Sequence, residues 1–189
     1  MKILSNKKFY EQSIKEFGIS AKGVHWNSKY TQYKRFEVIT KFIKKDIKIS
    51  SIIDVGCGFG EYYTYLENNH KVPKNFIGLD CEQDMVNISK KRFPFLEFHK
   101  KDILIDELIE ADYYTCSGAL NILSLEEIDI FIQKCFAVSK KGFIFNFLKN
   151  LTFNNIKQWE IIDIANQYTQ NIKLKENYLD NDFTVFMIK

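Results

Sequence analysis

Proline and arginine are both scarce in this chain. Two prolines and eight glycines among 189 residues leave no stretch with the composition of a flexible linker or a low-complexity tail. Of the 27 basic residues only Arg35 and Arg92 are arginine, the side chain whose forked geometry suits bases and phosphates. Because the formal net charge is also only +3, the composition argues against a nucleic-acid partner.

The sequence also lacks metal-binding and membrane-spanning patterns. Its four cysteines, Cys57, Cys81, Cys116 and Cys135, show no CxxC spacing and no neighbouring histidine pair, so no metal site is predicted. No apolar run approaches the roughly 20 residues of a membrane helix, and the start, MKILSNKKF, lacks a signal-peptide core. We therefore expect reduced thiols, a cytoplasmic location and no membrane partner.

Short apolar runs alternate with helical patterns from residue 52 to residue 168. The runs predict five strands, at 52–55, 76–79, 96–99, 113–116 and 143–147. The patterns between and after them predict five helices, at 60–69, 82–92, 104–109, 124–138 and 155–168. Alternation of this kind favours a parallel sheet with helices covering its faces.

The alternation stops after residue 170. Two strand-like runs, 172–178 and 183–188, are separated by only four residues, 179–182, which read LDND. So short a connection can join only antiparallel neighbours, because a parallel crossover needs about a dozen residues or more. The chain is therefore expected to end in an antiparallel hairpin.

The first fifty residues show helical periodicity without strands. Apolar residues recur every three or four positions in two stretches, Tyr10, Ile14 and Phe17, then Phe36, Ile39, Ile43 and Ile47. A loop near residues 23–29 separates the two stretches. We predict one domain over residues 1–189, in which residues 1–48 form a helical lid on a core of residues 49–189.

The most informative segment is SIIDVGCGFGEYYTYL, residues 51–66, in which a predicted strand runs into a glycine-rich turn and then a helix. Gly56, Gly58 and Gly60 read GxGxG, whereas the dinucleotide fingerprint reads GxGxxG. A diphosphate at this helix N-terminus would also meet the carboxylates of Asp54 and Glu61. The turn therefore suits a ligand with a cationic amine, whose N–H groups can donate to Asp54 and to the turn carbonyls.

Two further acids follow the next predicted strands. Asp80 ends the run NFIGLD, where a carboxylate can accept hydrogen bonds from both hydroxyls of a ribose. Asp102 follows the third run and is placed to receive the amino group of an adenine. An alternative for Asp80 is a helix cap formed together with Gln83. We favour the ribose interpretation, because the glycine turn lies at the expected distance.

The motifs DVGCGFGE, GLD, KKDI and ADYYTCSGALNIL resemble the successive motifs of the class I S-adenosylmethionine-dependent methyltransferases, over residues 50–189. The resemblance implies a Rossmann-like, doubly wound, seven-stranded α/β sheet with a reversed last strand, preceded by N-terminal helices. It also implies S-adenosylmethionine as cofactor and methyl transfer as the reaction. Further cofactor contacts are expected from Cys57, Cys81, Met85, Ile103 and Ser117, although tight packing would explain the two cysteines equally well.

Contacts with the methyl acceptor are expected from the N-terminal segment and from the later strand ends. Arg35 is a candidate clamp for the methionine carboxylate or for an acidic acceptor, or else a surface arginine. His25 is a candidate proton acceptor, although a lone histidine more often has a structural role. The remaining acceptor candidates are Trp26, Tyr30, Asn121, which is also a weak catalytic candidate, Asn146 and Tyr178.

The sequence argues against some acceptor classes. The [DN]PP[YF] motif of enzymes that methylate exocyclic amines of nucleic acids is absent, and no Pro-Cys pair supplies the nucleophile of a cytosine-carbon enzyme. The default expectation is therefore transfer to an oxygen or nitrogen of a small molecule. Two alternatives stay open: a non-catalytic regulatory subunit that binds the cofactor, and an RNA or tRNA methyltransferase.

Overall fold

The structure is a computed structural model that describes residues 28–149 and 155–189. Within them, seven strands form one sheet in the order β3-β2-β1-β4-β5-β7-β6. The strands are β1 (Ser51–Val55), β2 (Asn75–Asp80), β3 (Glu97–Lys100), β4 (Ala111–Ser117), β5 (Ser139–Leu148), β6 (Ile172–Glu176) and β7 (Asp182–Ile188).

The first five strands are parallel to one another, and β7 lies between β5 and β6, antiparallel to both. The predicted terminal hairpin is formed by β6 and β7. The predicted fold class, a doubly wound α/β sheet with a reversed last strand, is confirmed.

Five α-helices accompany the strands in the described residues. They are α1 (Lys29–Ile43), α2 (Glu61–Asn68), α3 (Gln83–Arg92), α4 (Leu125–Val138) and α5 (Gln158–Tyr168). A capping box starts α4: Glu127 N–H donates to Ser124 Oγ at 3.3 Å, and Ser124 N–H donates to Glu127 Oε2 at 2.8 Å. Behind it the helix buries Ile128, Ile132 and Phe136, whereas Leu125 is 38% exposed.

The predicted helix at residues 104–109 is wrong, because this segment forms turns. Leu104 N–H donates to Asp102 Oδ1 at 3.0 Å, and Asp102 N–H donates to Asp106 Oδ2 at 2.8 Å. Aspartate side chains that bond nearby backbone amides in this way compete with the helical ladder. The two acids therefore fold the segment into a compact turn next to β3.

The two faces of the sheet bury separate apolar clusters. Neighbouring strand residues point to opposite faces, so Ile52 packs with α1, α2 and α3, whereas Ile53 packs with α4 and α5. Phe36 and Ile39 of α1 belong to the first cluster, which makes this helix part of the layer covering the sheet.

The predicted stripe at Tyr10, Ile14 and Phe17 lies outside the described residues, and the division of the chain at residue 48 stays a prediction. Among the helices that the structure describes, none is both long enough and apolar enough to cross a membrane.

Candidate active site

A cavity of about 740 Å³ opens at the carboxyl ends of the parallel strands. Its walls come from the segments that follow β1, β2, β3, β4 and β5, from the start of β7 and from one side of α1. Ligands of open α/β sheets bind at this edge, because the loops there converge. The cavity has the size expected of a small-molecule site.

The glycine turn forms the floor of the cavity between β1 and α2. Gly56, Gly58 and Gly60 have φ angles of 68°, 53° and 77°, in the left-handed region that favours glycine. A Cβ on Gly56 would come within 2.5 Å of the Ala119 Cβ atom. The turn is also tied to β2, because the backbone N–H groups of Gly56 and Cys57 both donate to the Leu79 carbonyl.

Asp54 and Asp80 are buried carboxylates that both line the cavity. Thr115 Oγ1 donates to Asp54 Oδ1 at 2.9 Å. Burial raises the pKa of Asp54 to about 7, and the nearby charge of Asp80 adds to this rise. Burial also raises the pKa of Asp80 to about 6, against hydrogen bonds from backbone amides that lower it. The pair forms an acidic site suited to a positively charged group.

Asp80 bonds to the backbone on both sides of the turn. Its Oδ2 accepts from Gly58 N–H at 2.8 Å, and its Oδ1 accepts from Glu82 N–H at 2.9 Å. The alternative cap with Gln83 is not formed, because Glu82 is the N-cap residue of α3. A carboxylate has about four acceptor positions, so Asp80 keeps capacity for the hydroxyls of a ligand.

Asp102 completes the row of three acids. It lines the cavity beyond β3, with one oxygen engaged by Leu104 N–H. Ile103 and Met85 are buried beside it and also line the cavity.

Arg35 and Asp182 form a buried ion pair in the opposite wall. Arg35 Nε donates to Asp182 Oδ1 at 2.5 Å, and Nη2 donates to Oδ2 at 2.8 Å. Bidentate pairing of this kind fixes both the guanidinium and the carboxylate. Arg35 is therefore not a surface arginine, and its clamp role toward a ligand stays a prediction.

Residues 52–142 match a family model described as a methyltransferase domain. A curated relative, the ubiquinone/menaquinone biosynthesis C-methyltransferase UbiE of Campylobacter jejuni, is 35% identical over 81 residues, covering 41% of this chain and 32% of that protein. The chain thus spans about a third of the length of the curated relatives it matches.

Solved methyltransferase structures share the fold. A TehB-like SAM-dependent methyltransferase from Corynebacterium glutamicum has a TM-score of 0.72 at 14% identity, covering 97% of this chain and 100% of that chain. The magnesium protoporphyrin IX methyltransferase ChlM from Synechocystis, with bound SAH, has a TM-score of 0.67 at 13% identity, covering 84% and 83%.

Residues 52–142 therefore form a methyltransferase domain. The resemblance to the class I S-adenosylmethionine-dependent methyltransferases recognised from the sequence motifs is confirmed, and the solved structures with bound SAH and SAM support S-adenosylmethionine as the cofactor.

The structure brings most of the predicted cofactor residues together. The following line one cavity: Arg35, Asp54, Gly56, Cys57, Gly58, Asp80, Cys81, Met85, Asp102, Ile103 and Ser117. Gly60 does not line it. This glycine starts α2 and faces the core, where an added Cβ would lie 2.8 Å from the Phe93 ring. The roles of the lining residues in cofactor binding stay predictions.

The predicted acceptor residues are scattered. Of these, Asn121 lines the cavity, whereas Asn146 is buried outside it and donates from Nδ2 to Ser117 Oγ at 3.2 Å. Tyr178 also lies outside, with its hydroxyl 2.8 Å from Thr184 Oγ1 on β7. Burial raises the pKa of Tyr178, which keeps the hydroxyl neutral. His25 and Trp26 lie outside the described residues.

Tyr30 lies away from the cavity because it is on a different side of α1 from the residues that line the cavity. Gln32, Arg35 and Phe36 share one side of α1 and line the cavity, since residues three and four apart lie on one face. Tyr30 lies on another side, is 66% exposed and lines a separate shallow groove with Tyr33. The structure therefore places Tyr30 outside the cavity, and its contact with the acceptor stays a prediction.

Several lining residues escaped the sequence analysis, among them Gln32, Leu148, Leu179 and Asp182. Asp182 is noticeable in the sequence only as an acid that opens a strand, which gives no sign of its partner 147 positions away. Gln32 could have been found from its position one helical turn before Arg35.

Among the described residues no group of three or more His, Cys, Asp or Glu side chains could hold a metal ion.

Proposed function

We propose that this chain transfers a methyl group from S-adenosylmethionine to an oxygen or nitrogen atom of a small molecule. The observation that carries the proposal is the row formed by Asp54, Asp80 and Asp102. These acids lie at or just beyond the carboxyl ends of three adjacent strands and line one cavity.

The acids fit the cofactor's groups. Asp54 and Asp80 have raised pKa values because they are buried, and the cofactor's ammonium group would supply the missing positive charge. Asp80 keeps acceptor positions for the ribose hydroxyls, and Asp102 lies at the adenine position. When bound, S-adenosylmethionine supplies a methyl group already activated on a sulfonium.

The chain's own contribution is alignment and exclusion of water. The methyl acceptor must approach in line with the carbon–sulfur bond, so a cavity that fixes both molecules can lower the barrier without a catalytic triad. Thr31, Gln32, Arg35 and Phe36 of α1 form one wall of this cavity, as expected of a covering segment.

The walls argue for a small-molecule acceptor over a polyanion. Seven carboxylate residues and two cationic residues line the cavity, the latter being Arg35 and Lys101. A nucleic-acid substrate would require a basic surface at the opening. We propose oxygen or nitrogen as the acceptor atom, whereas the Campylobacter relative is described as a C-methyltransferase. A cytoplasmic location is also part of the proposal.

The test follows the methyl group from tritium-labelled cofactor into a cell metabolite extract. We expect a labelled product and an equal amount of S-adenosylhomocysteine, and nuclear magnetic resonance of the product shows whether the methyl is on oxygen, nitrogen or carbon. An Asp80→Ala variant serves as the inactive control. If the cofactor binds but no compound gains label, the chain is a binding protein and the proposal fails.

A further inference from the structure

The cavity extends well beyond the three acids. Asp54, Asp80 and Asp102 lie at or just beyond the carboxyl ends of β1, β2 and β3, whereas other walls come from β4, β5 and β7. With neighbouring strands about 4.8 Å apart, the three steps from β1 to β7 span roughly 14 Å. We call the part of the cavity beside β4, β5 and β7 the acceptor end. It is formed by Gln32, Arg35, Asn121, Leu148 and Asp182.

Gln32 is a buried amide that lines the acceptor end and has no side-chain partner among the described residues. It is 3% exposed, and its backbone N–H donates to the Ser28 carbonyl in the first turn of α1. Its amide atoms are not among the fully buried side-chain atoms that lack a partner, so they remain accessible from the cavity. Because Gln32 lines the cavity, a molecule in the cavity can supply the missing partner.

Two further amides near this end, Asn121 and Asn146, are already engaged. Asn121 Oδ1 accepts from Leu148 N–H at 3.3 Å, which ties the segment after β4 to the end of β5. Asn146 bonds to Ser117 and does not line the cavity. Gln32 thus differs from both in having its side-chain donors and acceptor available to a ligand.

The charges at the acceptor end disfavour an anionic molecule, because Asp180 lines the cavity beside the Arg35–Asp182 pair and adds negative charge. Arg35 is neutralised by Asp182, and Lys101, the other cationic lining residue, lies at the far side of the sheet after β3. A carboxylate or phosphate would therefore be buried next to Asp182 without a cation of its own, which is unfavourable. A protonated amine has no lone pair with which to attack a methyl group.

We propose that Gln32 recognises the methyl acceptor, and that this acceptor is uncharged and partly apolar, with a hydroxyl, amide or ring N–H that hydrogen-bonds to the Gln32 amide. The inference rests on the proposed methyltransferase function. Phe36, Leu148 and Leu179 supply apolar surface for the rest of the molecule. In the transfer, the acceptor oxygen or nitrogen forms a bond to the methyl carbon while the carbon–sulfur bond breaks. That electron pair stays on sulfur, and the acceptor's proton leaves to water.

The first experiment separates a cell metabolite extract by ion exchange into anionic, cationic and uncharged pools. Each pool is incubated with the protein and tritium-labelled S-adenosylmethionine. We expect label in the uncharged pool. Label confined to either charged pool would overturn the inference while leaving the methyltransferase function intact, whereas no label in any pool would overturn both.

The second experiment compares Gln32→Leu with Gln170→Leu, a matched change at an exposed amide on the surface after α5. We expect Gln32→Leu to slow labelling of the uncharged pool by roughly tenfold or more. Its affinity for S-adenosylhomocysteine, measured by calorimetry, should stay within about twofold of the wild type. Its melting temperature should be close to that of the wild type, because the Gln32 amide makes no side-chain hydrogen bond within the described residues. Gln170→Leu should change none of these quantities.

Three outcomes would overturn the assignment of Gln32. An unchanged labelling rate would show that the acceptor does not use this amide. A loss of S-adenosylhomocysteine affinity equal to the loss of rate would assign Gln32 to the cofactor instead. A lower melting temperature together with lower affinity and rate would show a structural role.

Discussion

Asp80 Oδ2 accepts a hydrogen bond from the backbone N–H of Gly58 at 2.8 Å, which joins the end of β2 to the glycine turn after β1. The same carboxylate lines the cavity. One side chain therefore both shapes the turn and presents acceptor oxygens to a ligand, so its substitution should affect binding more than stability.

Asp80→Ala should lower the affinity for S-adenosylhomocysteine by about 100-fold. The substitution removes two charge-assisted hydrogen bonds to the ribose, and each contributes about 1.5 kcal/mol or more. Isothermal titration calorimetry measures the change. Asp163→Ala, an exposed acid on α5, is the control and should bind normally. Normal binding by Asp80→Ala itself would rule out the ribose assignment.

Affinity for S-adenosylhomocysteine should rise with pH between about 5 and 8. The pKa values of Asp54 and Asp80 are about 7 and about 6, so both carboxylates gain the charge that attracts the ligand's ammonium over this range. Calorimetry at several pH values tests this. Asp54→Asn should bind more weakly and show a flatter pH profile, whereas identical profiles for the two proteins would contradict the role of Asp54.

The stability of the ligand-free protein should fall with rising pH, opposite to the ligand affinity. The pKa of Asp54 is raised from 3.8 to about 7, so the folded state keeps a proton that the unfolded state has already lost. The free energy of unfolding therefore falls as pH rises from about 4 to about 7, by roughly 4 kcal/mol at most. Asp54→Asn lacks this loss and should become the more stable protein as pH rises. Denaturant unfolding of both proteins at pH 5 and pH 7.5 measures the difference, and equal pH slopes would count against it.

Arg35→Ala should destabilise the protein by about 3–5 kcal/mol, because it leaves the carboxylate of Asp182 buried without its cation. Replacing both residues, as Arg35→Met with Asp182→Leu, should recover most of that loss, since no charge is then left unpaired. Urea unfolding measures all three proteins. A double variant as unstable as Arg35→Ala would show that the ion pair is not the source of the effect.

The strand positions followed from the sequence because the parallel strands are buried on both faces and read as continuous apolar runs, as in Ile52 and Ile53. The three acids could be predicted because they lie at the ends of predicted strands. The carboxyl ends of parallel strands meet at one edge of the sheet, so residues there lie close together. The error at residues 104–109 arose because apolar spacing took no account of the side chains of Asp102 and Asp106, which bond to the local backbone.

The acceptor end could be predicted less well from the sequence than the three acids. The pairing of Arg35 with Asp182 joins residues far apart in the chain, and no local pattern encodes it. Tyr30 was expected at the acceptor because aromatic residues are dense in that segment, but the rotation of α1 turns Gln32 inward instead. Which side of a covering helix faces a cavity depends on how the helix packs on the sheet, and that requires the structure.

The most direct test of the central claim is a calorimetric titration of the protein with S-adenosylhomocysteine and, separately, with NADH. The account predicts one S-adenosylhomocysteine site per chain, with an affinity about 100-fold lower in Asp80→Ala, and no heat of binding with NADH. Binding of NADH in competition with S-adenosylhomocysteine, or no binding of S-adenosylhomocysteine at all, would contradict it.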